Sequence, residues 1–134
     1  MKEFYQKQYQ KHGAFNQKVI TEHAKKLIDS YNIKVGSEKD AAGTLSGGNL
    51  QKVIVARELS QNPEFLIASQ PTRGLDIGAV ESVQNLLIDA RNKGISILLI
   101  STELDEVLSL SDRIAVIYDG KIVDVLKNDE KLDI

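Results

Sequence analysis

Hydrophobic positions change their period several times along this chain, and each change marks an element. Between Lys18 and Tyr31, apolar Ala24, Leu27, Ile28 and Tyr31 recur at three- and four-residue intervals, the spacing of an amphipathic helix. Residues 1–16, before it, are polar, dotted with aromatics and without a period, and read as loop or irregular structure. The polar, glycine-containing stretch KVGSEKDAAGT comes next. A second helical pattern runs from Asn49 to Ser60, spacing Leu50, Val53, Ile54, Arg57 and Glu58, and Asn62-Pro63 ends it. EFLIA (64–68) is nearly all apolar, as in strands of a sheet covered on both faces. A third helix, Ile77 to Asn92, places Val80, Gln84, Leu87 and Ile88 on one side, with Gly94 just past its end. SILLIS (96–101) is another apolar strand, and ELDEVLSLS a short helix. RIAVIY (113–118) and KIVDVL (121–126) flank Asp119-Gly120, the pattern of a hairpin.

Strand, helix, strand, helix, strand predicts an α/β fold with a largely parallel sheet. No internal repeat is visible, and the charged tail KNDEKLDI is expected to fray. Composition adds exclusions. The 134 residues suffice for one ordinary domain or part of a larger one, 42% hydrophobic and 27% charged, enough to bury a core. A net charge of −2 with interspersed signs gives no electrostatic case for nucleic acid. The absence of cysteine removes disulfides and thiolate metal sites. No apolar run approaches the roughly 20 residues of a membrane-spanning helix, so a membrane role would come through a partner.

Chemistry concentrates in LSGGNLQK (45–52). Glycines directly before a helix free backbone amides to point outward, and a helix N-terminus favours an anion. Ser46 adds a hydroxyl donor, and Asn49 opens the helix. SGG alone is equally a plain N-cap with a glycine hinge.

The whole string resembles the signature motif of the ATP-binding cassette family. Three further stretches match in order. The apolar strand before QPTRGLD resembles the Walker B strand and D-loop, ILLIS with TELDEV the switch region, and SDRIAVIYDGKIV the segment C-terminal to that switch. The resemblance covers residues 45–125. It implies a partial P-loop NTPase (RecA-like) parallel sheet with flanking helices, preceded by part of the helical subdomain. Residues 1–44 would be the remainder of that subdomain, and 45–134 the C-terminal part of the nucleotide-binding domain.

In such cassettes the signature holds the terminal phosphate of ATP bound by the other cassette. The resemblance therefore assigns Ser46, Gly47 and Gly48 to ATP phosphates in trans, Leu45 and Asn49 to shaping that loop, and Asp76 to the D-loop. Walker B usually ends in Asp-Glu, where this chain has Ser69-Gln70. Gln70 occupies the general-base position without being able to take a proton, a loss that typically costs about 10²–10⁴ in rate. Ser69 replaces the magnesium-linked aspartate, and Thr102 the switch histidine. The two histidines, His12 and His23, lie far from that motif and read as surface residues. An intact signature beside an emptied site implies a degenerate cassette half that completes its partner's site.

This pattern is similar to the second cassette of tandem-cassette importers for sugars and nucleosides. It implies ATP and magnesium in the full assembly, a partner cassette, permease subunits and, indirectly, a solute-binding lipoprotein, with the protein peripheral on the inner face of the membrane. The phosphate-gripping loop is absent, since the only Gly-Lys pair, Gly120-Lys121, lies in the hairpin turn. A helix N-terminus offers an anion about 0.3–1 kcal/mol, ~2 when partly buried. A millimolar complex needs about 4.1 kcal/mol, so these residues alone are expected neither to bind ATP measurably nor to turn it over. The Walker B strand, lacking its family neighbour, should expose apolar surface and an edge that favour self-association. Two rivals share parts of the pattern. A DNA-maintenance cassette should retain Walker B carboxylates and heptads, while a purely regulatory module shares every feature and differs only in whether Ser46 serves catalysis.

Overall fold

The computed structural model describes residues 9–11 and 14–128. It begins with an antiparallel ribbon, β1 (Gln10–Lys11) and β2 (Ala14–Phe15), paired Gln10 to Phe15 and Lys11 to Ala14. The expectation of irregular structure is corrected at 10–11 and 14–15, because strands of two residues leave no periodic signal, while residues 1–8, 12 and 13 lie outside the described residues. His12 lies outside the described residues.

α1 (Gln17–Ser30) is capped by Asn16, whose side chain accepts from Val19 N. Its inner face carries Ala24, Leu27 and Ile28 as predicted, all half-buried. Tyr31, at its C-terminal cap, packs against the main core, and burial holds its hydroxyl above the ordinary pKa of 10.0. His23, expected at the surface, is instead half-buried and meets Tyr9 edge-on, with ring centroids 5.6 Å apart.

α2 (Gly47–Leu59) begins two residues earlier than expected, so both glycines lie in its first turn. Its buried face is also different. Gly48, Lys52, Val55, Ala56 and Leu59 point inward, whereas Leu50 and Ile54 of the predicted stripe are exposed. The pattern misled because a lysine sits on the core side. Its alkyl stem is covered while Nζ donates to the Asn32 carbonyl at 3.1 Å, so the charge is not left without a partner.

β3 (Phe65–Ser69) and β4 (Ser96–Ile100) pair in parallel, from Phe65 opposite Ser96 to Ser69 opposite Ile100. α3 (Ile77–Asn92) connects them and buries Val83, Leu87 and Ala90; of the predicted side only Leu87 is fully buried, with Val80, Gln84 and Ile88 half-buried. The core joins Val55 and Leu59 of α2 to Ala90 of α3, with Leu66, Leu86, Ile95 and Ile97 packed around them. Side chains alternate across a strand. Leu66 and Ile97 thus face the helices, while Phe65, Ile67, Leu98 and Ile100 emerge on the other face, 46–59% exposed. The expectation of a sheet covered on both faces is therefore met on one face only among the described residues.

α4 (Leu104–Leu110) leads into an antiparallel hairpin, β5 (Arg113–Tyr118) and β6 (Lys121–Lys127). Asp119 and Gly120 both have positive φ, 47° and 71°, as a tight hairpin turn requires. The register shifts between Val116 and Ile117, a bulge. β5–β6 forms a sheet separate from β3–β4. Of the charged tail, 129–134 lie outside the described residues.

Candidate functional site

The chain's chemistry gathers at two corners. At the first, a short 3₁₀ turn (Ala42–Thr44) delivers Leu45 to the start of α2, and Leu45 lines a cavity of about 280 Å³ against α1. Ser46 is the N-cap, with φ −62° and ψ 156°. Its Oγ accepts from Asn49 N at 3.4 Å and from Asn49 Nδ2 at 2.9 Å. Asn49 Oδ1 in turn accepts from Lys34 N at 2.8 Å. The amides of a helix's first turn have no partner within the helix, so this end presents donors to an anion.

The glycines answer to packing as well as to conformation. A Cβ on Gly48 would lie 2.5 Å from Ala79 Cβ, and one on Gly47 would lie 3.4 Å from Leu75 Cδ2. The N-terminus of α2 is thus pressed against the turn that opens α3. Asp76 caps α3, its Oδ1 accepting from Ala79 N at 2.9 Å. Two helix starts, capped by Ser46 and Asp76, lie side by side.

The second corner joins the ends of β3 and β4. Gln70 adopts positive φ, 49°, and its N donates to Ile100 O at 2.7 Å. Thr102 Oγ1 donates to Gln70 Oε1 at 3.3 Å. The two positions singled out as emptied, Gln70 and Thr102, are thus in direct contact, and Ser69 beside them is exposed. No member of this trio can ionise. Among the described residues no group of three or more His, Cys, Asp or Glu is placed to hold a metal. The donors at Ser46 suit a phosphate anion, whereas Ser69 and Gln70 do not suit magnesium, which favours carboxylate oxygens.

Sequence reasoning missed a second link between these segments. Thr72 Oγ1 donates to Glu106 Oε1 at 2.7 Å, both residues buried, and Glu106 Oε2 has no partner among the described residues. The run LDEVLSL carries two adjacent acids, Asp105 and Glu106, and nothing in its spacing singles out the one that turns inward. Lys52 was likewise missed, since nothing in its local spacing marks a buried lysine.

No protein-family model matches the chain. Individual proteins do. Over 119 residues it is 49% identical to the nucleoside import ATP-binding protein NupA of Lactococcus lactis subsp. cremoris, covering 89% of this chain and 24% of that protein. Over 123 residues it is 46% identical to the guanosine import ATP-binding protein NupO of Bacillus subtilis, covering 92% and 24%. A nucleotide-free ATP-binding cassette from an ABC transporter superposes with a TM-score of 0.74 at 30% identity, covering 96% of this chain and 48% of that one. The chain belongs to the ATP-binding cassette family. A dimeric cassette in a post-hydrolysis state, bound to ADP and Pi, superposes at 0.72 with 24% identity and supports the cassette fold. The chain spans about a quarter of the length of the curated relatives it matches.

Proposed function

We propose that this chain is the C-terminal part of the second cassette in the ATP-binding subunit of an importer for nucleosides or sugars. Residues 1–44 then complete the helical subdomain, and 45–134 carry the signature, the degenerate Walker B strand, the D-loop, the switch region and the terminal hairpin. The names of the relatives, which state import of nucleosides, guanosine and ribose, support this assignment. The subunit would lie on the cytoplasmic face of the membrane beside its permease, served indirectly by a solute-binding lipoprotein.

One observation supports the mechanistic part: Gln70 and Thr102 form a neutral hydrogen-bonded pair where, on this reading, a base and a switch histidine would stand, while Ser46 caps α2. Gln70 can orient a water but cannot accept its proton, and Ser69 brings no charge to a metal. Ser46, with the amides of Gly47 and Gly48, would hold the terminal phosphate of ATP bound by the partner cassette, and Asp76 would act across the same interface. The bound nucleotide, with its magnesium, supplies the phosphoryl group. This chain would orient the phosphate and stabilise its charge through hydrogen-bond donors.

Ser46→Ala in the intact subunit, assayed with its permease, tests the reading. Turnover should fall on the order of 10- to 100-fold, the value of one hydrogen bond to a charged group, at unchanged thermal stability apart from the cap. Undiminished turnover would favour the regulatory-module reading. Gly48→Ala is unsuited to this test, since Ala79 leaves a Cβ no room whatever the phosphate does.

A further inference from the structure

The hydrogen bonds around Ser46 decide which way its hydroxyl can act. A serine hydroxyl offers one proton and two lone pairs. Both lone-pair positions of Ser46 Oγ are addressed by Asn49, through the backbone N at 3.4 Å and the side-chain Nδ2 at 2.9 Å. The orientation of the Asn49 amide is fixed from its other end, because Oδ1 accepts from Lys34 N at 2.8 Å. A flipped amide would set an NH₂ group against that N–H, donor against donor. Two residues away in the same loop, Asn32 O receives Lys52 Nζ at 3.1 Å, so the segment that supplies Lys34 is itself tied down to α2.

We infer that Asn49 is a positioning residue that makes the Ser46 hydroxyl an obligate donor, reserving its proton for an anion in front of α2. This rests on the proposed role of Ser46 toward a partner's ATP and deepens it. Asn49 itself need not touch the phosphate. With its acceptor capacity spent on Asn49, the hydroxyl is matched to a fully ionised, acceptor-only phosphate oxygen. The loop 32–34 thereby belongs to the site through its backbone.

Asn49→Asp separates this role from a merely structural one. The aspartate keeps an acceptor for Lys34 N and adds negative charge in the first turn of α2, which a helix N-terminus favours. Thermal stability should therefore hold or rise. The carboxylate cannot donate to Ser46 Oγ and instead accepts a hydrogen bond from its hydroxyl. ATP turnover by the intact subunit with its permease should then fall on the order of 10- to 100-fold, matching loss of one charge-assisted hydrogen bond.

Local repulsion between the introduced carboxylate and phosphate is controlled by the double variant Ser46→Ala/Asn49→Asp. If Asn49 acts through Ser46, the double variant turns over no more slowly than Ser46→Ala alone. A further loss equal to that of Asn49→Asp alone would overturn the inference while leaving the role of Ser46 intact. Undiminished turnover in Ser46→Ala would instead remove the reading on which both depend. Asn49→Asp losing stability in step with activity would also count against it, since that is the mark of a structural role.

Discussion

Gln70 and Thr102 show how two neutral side chains can close the corner between strand ends. The hydrogen bond between them, 3.3 Å, joins two groups that satisfy one another and cannot ionise. Gln70→Glu alone should therefore restore no hydrolysis at this site, because Ser69 still lacks the charge that a metal needs. Turnover measured in the intact subunit with the partner cassette's own base removed would show any gain. Glu106 presents the opposite case, a buried carboxylate with one oxygen held by Thr72 and the other unpartnered among the described residues. Thr72→Val should cost about 1–3 kcal/mol by leaving that carboxylate without its donor, seen as a lower midpoint in thermal or urea unfolding. Gly48→Ala should cost about 1–3 kcal/mol by overpacking against Ala79, read in the same experiment.

At the scale of elements, legibility followed how local the cause was. The strands β3 and β4, helix α3 and the Asp119-Gly120 hairpin stand out in the sequence because an apolar run, a long period and a two-residue turn each act within a few residues. The LSGG string and the Ser69-Gln70 pair were legible for the same reason: each is a short run of neighbours. Which face of α2 is buried was not legible. Lys52 turns inward because Asn32 O, twenty residues away in the chain, waits for it, and Gly48 turns inward because Ala79 leaves no room for more. The ribbon β1–β2 was equally silent, being too short for alternation to show. The Gln70–Thr102 and Thr72–Glu106 contacts join segments more than thirty residues apart, which no pattern along the chain encodes.

Over the whole molecule, the open face of the parallel pair dominates solution behaviour. Phe65, Ile67, Leu98 and Ile100 form a contiguous apolar surface, and much of the β5–β6 hairpin is exposed as well. The isolated chain should self-associate through this face, and the pair Ile67→Lys and Leu98→Lys should shift it toward monomer. Light scattering across a concentration series distinguishes the two. A monomeric wild-type chain at high concentration would refute the expectation. In calorimetric titration the isolated chain should show no ATP affinity tighter than millimolar, as one helix terminus supplies too little free energy.

The contact of Gly48 with Ala79 has a mechanical meaning beyond its effect on stability. With no side chain interposed, the starts of α2 and α3 pack closely, so a displacement of one would press on the other. A neighbouring subunit that grips Asp76 would therefore also steer Ser46, so that grasping and being grasped become a single event.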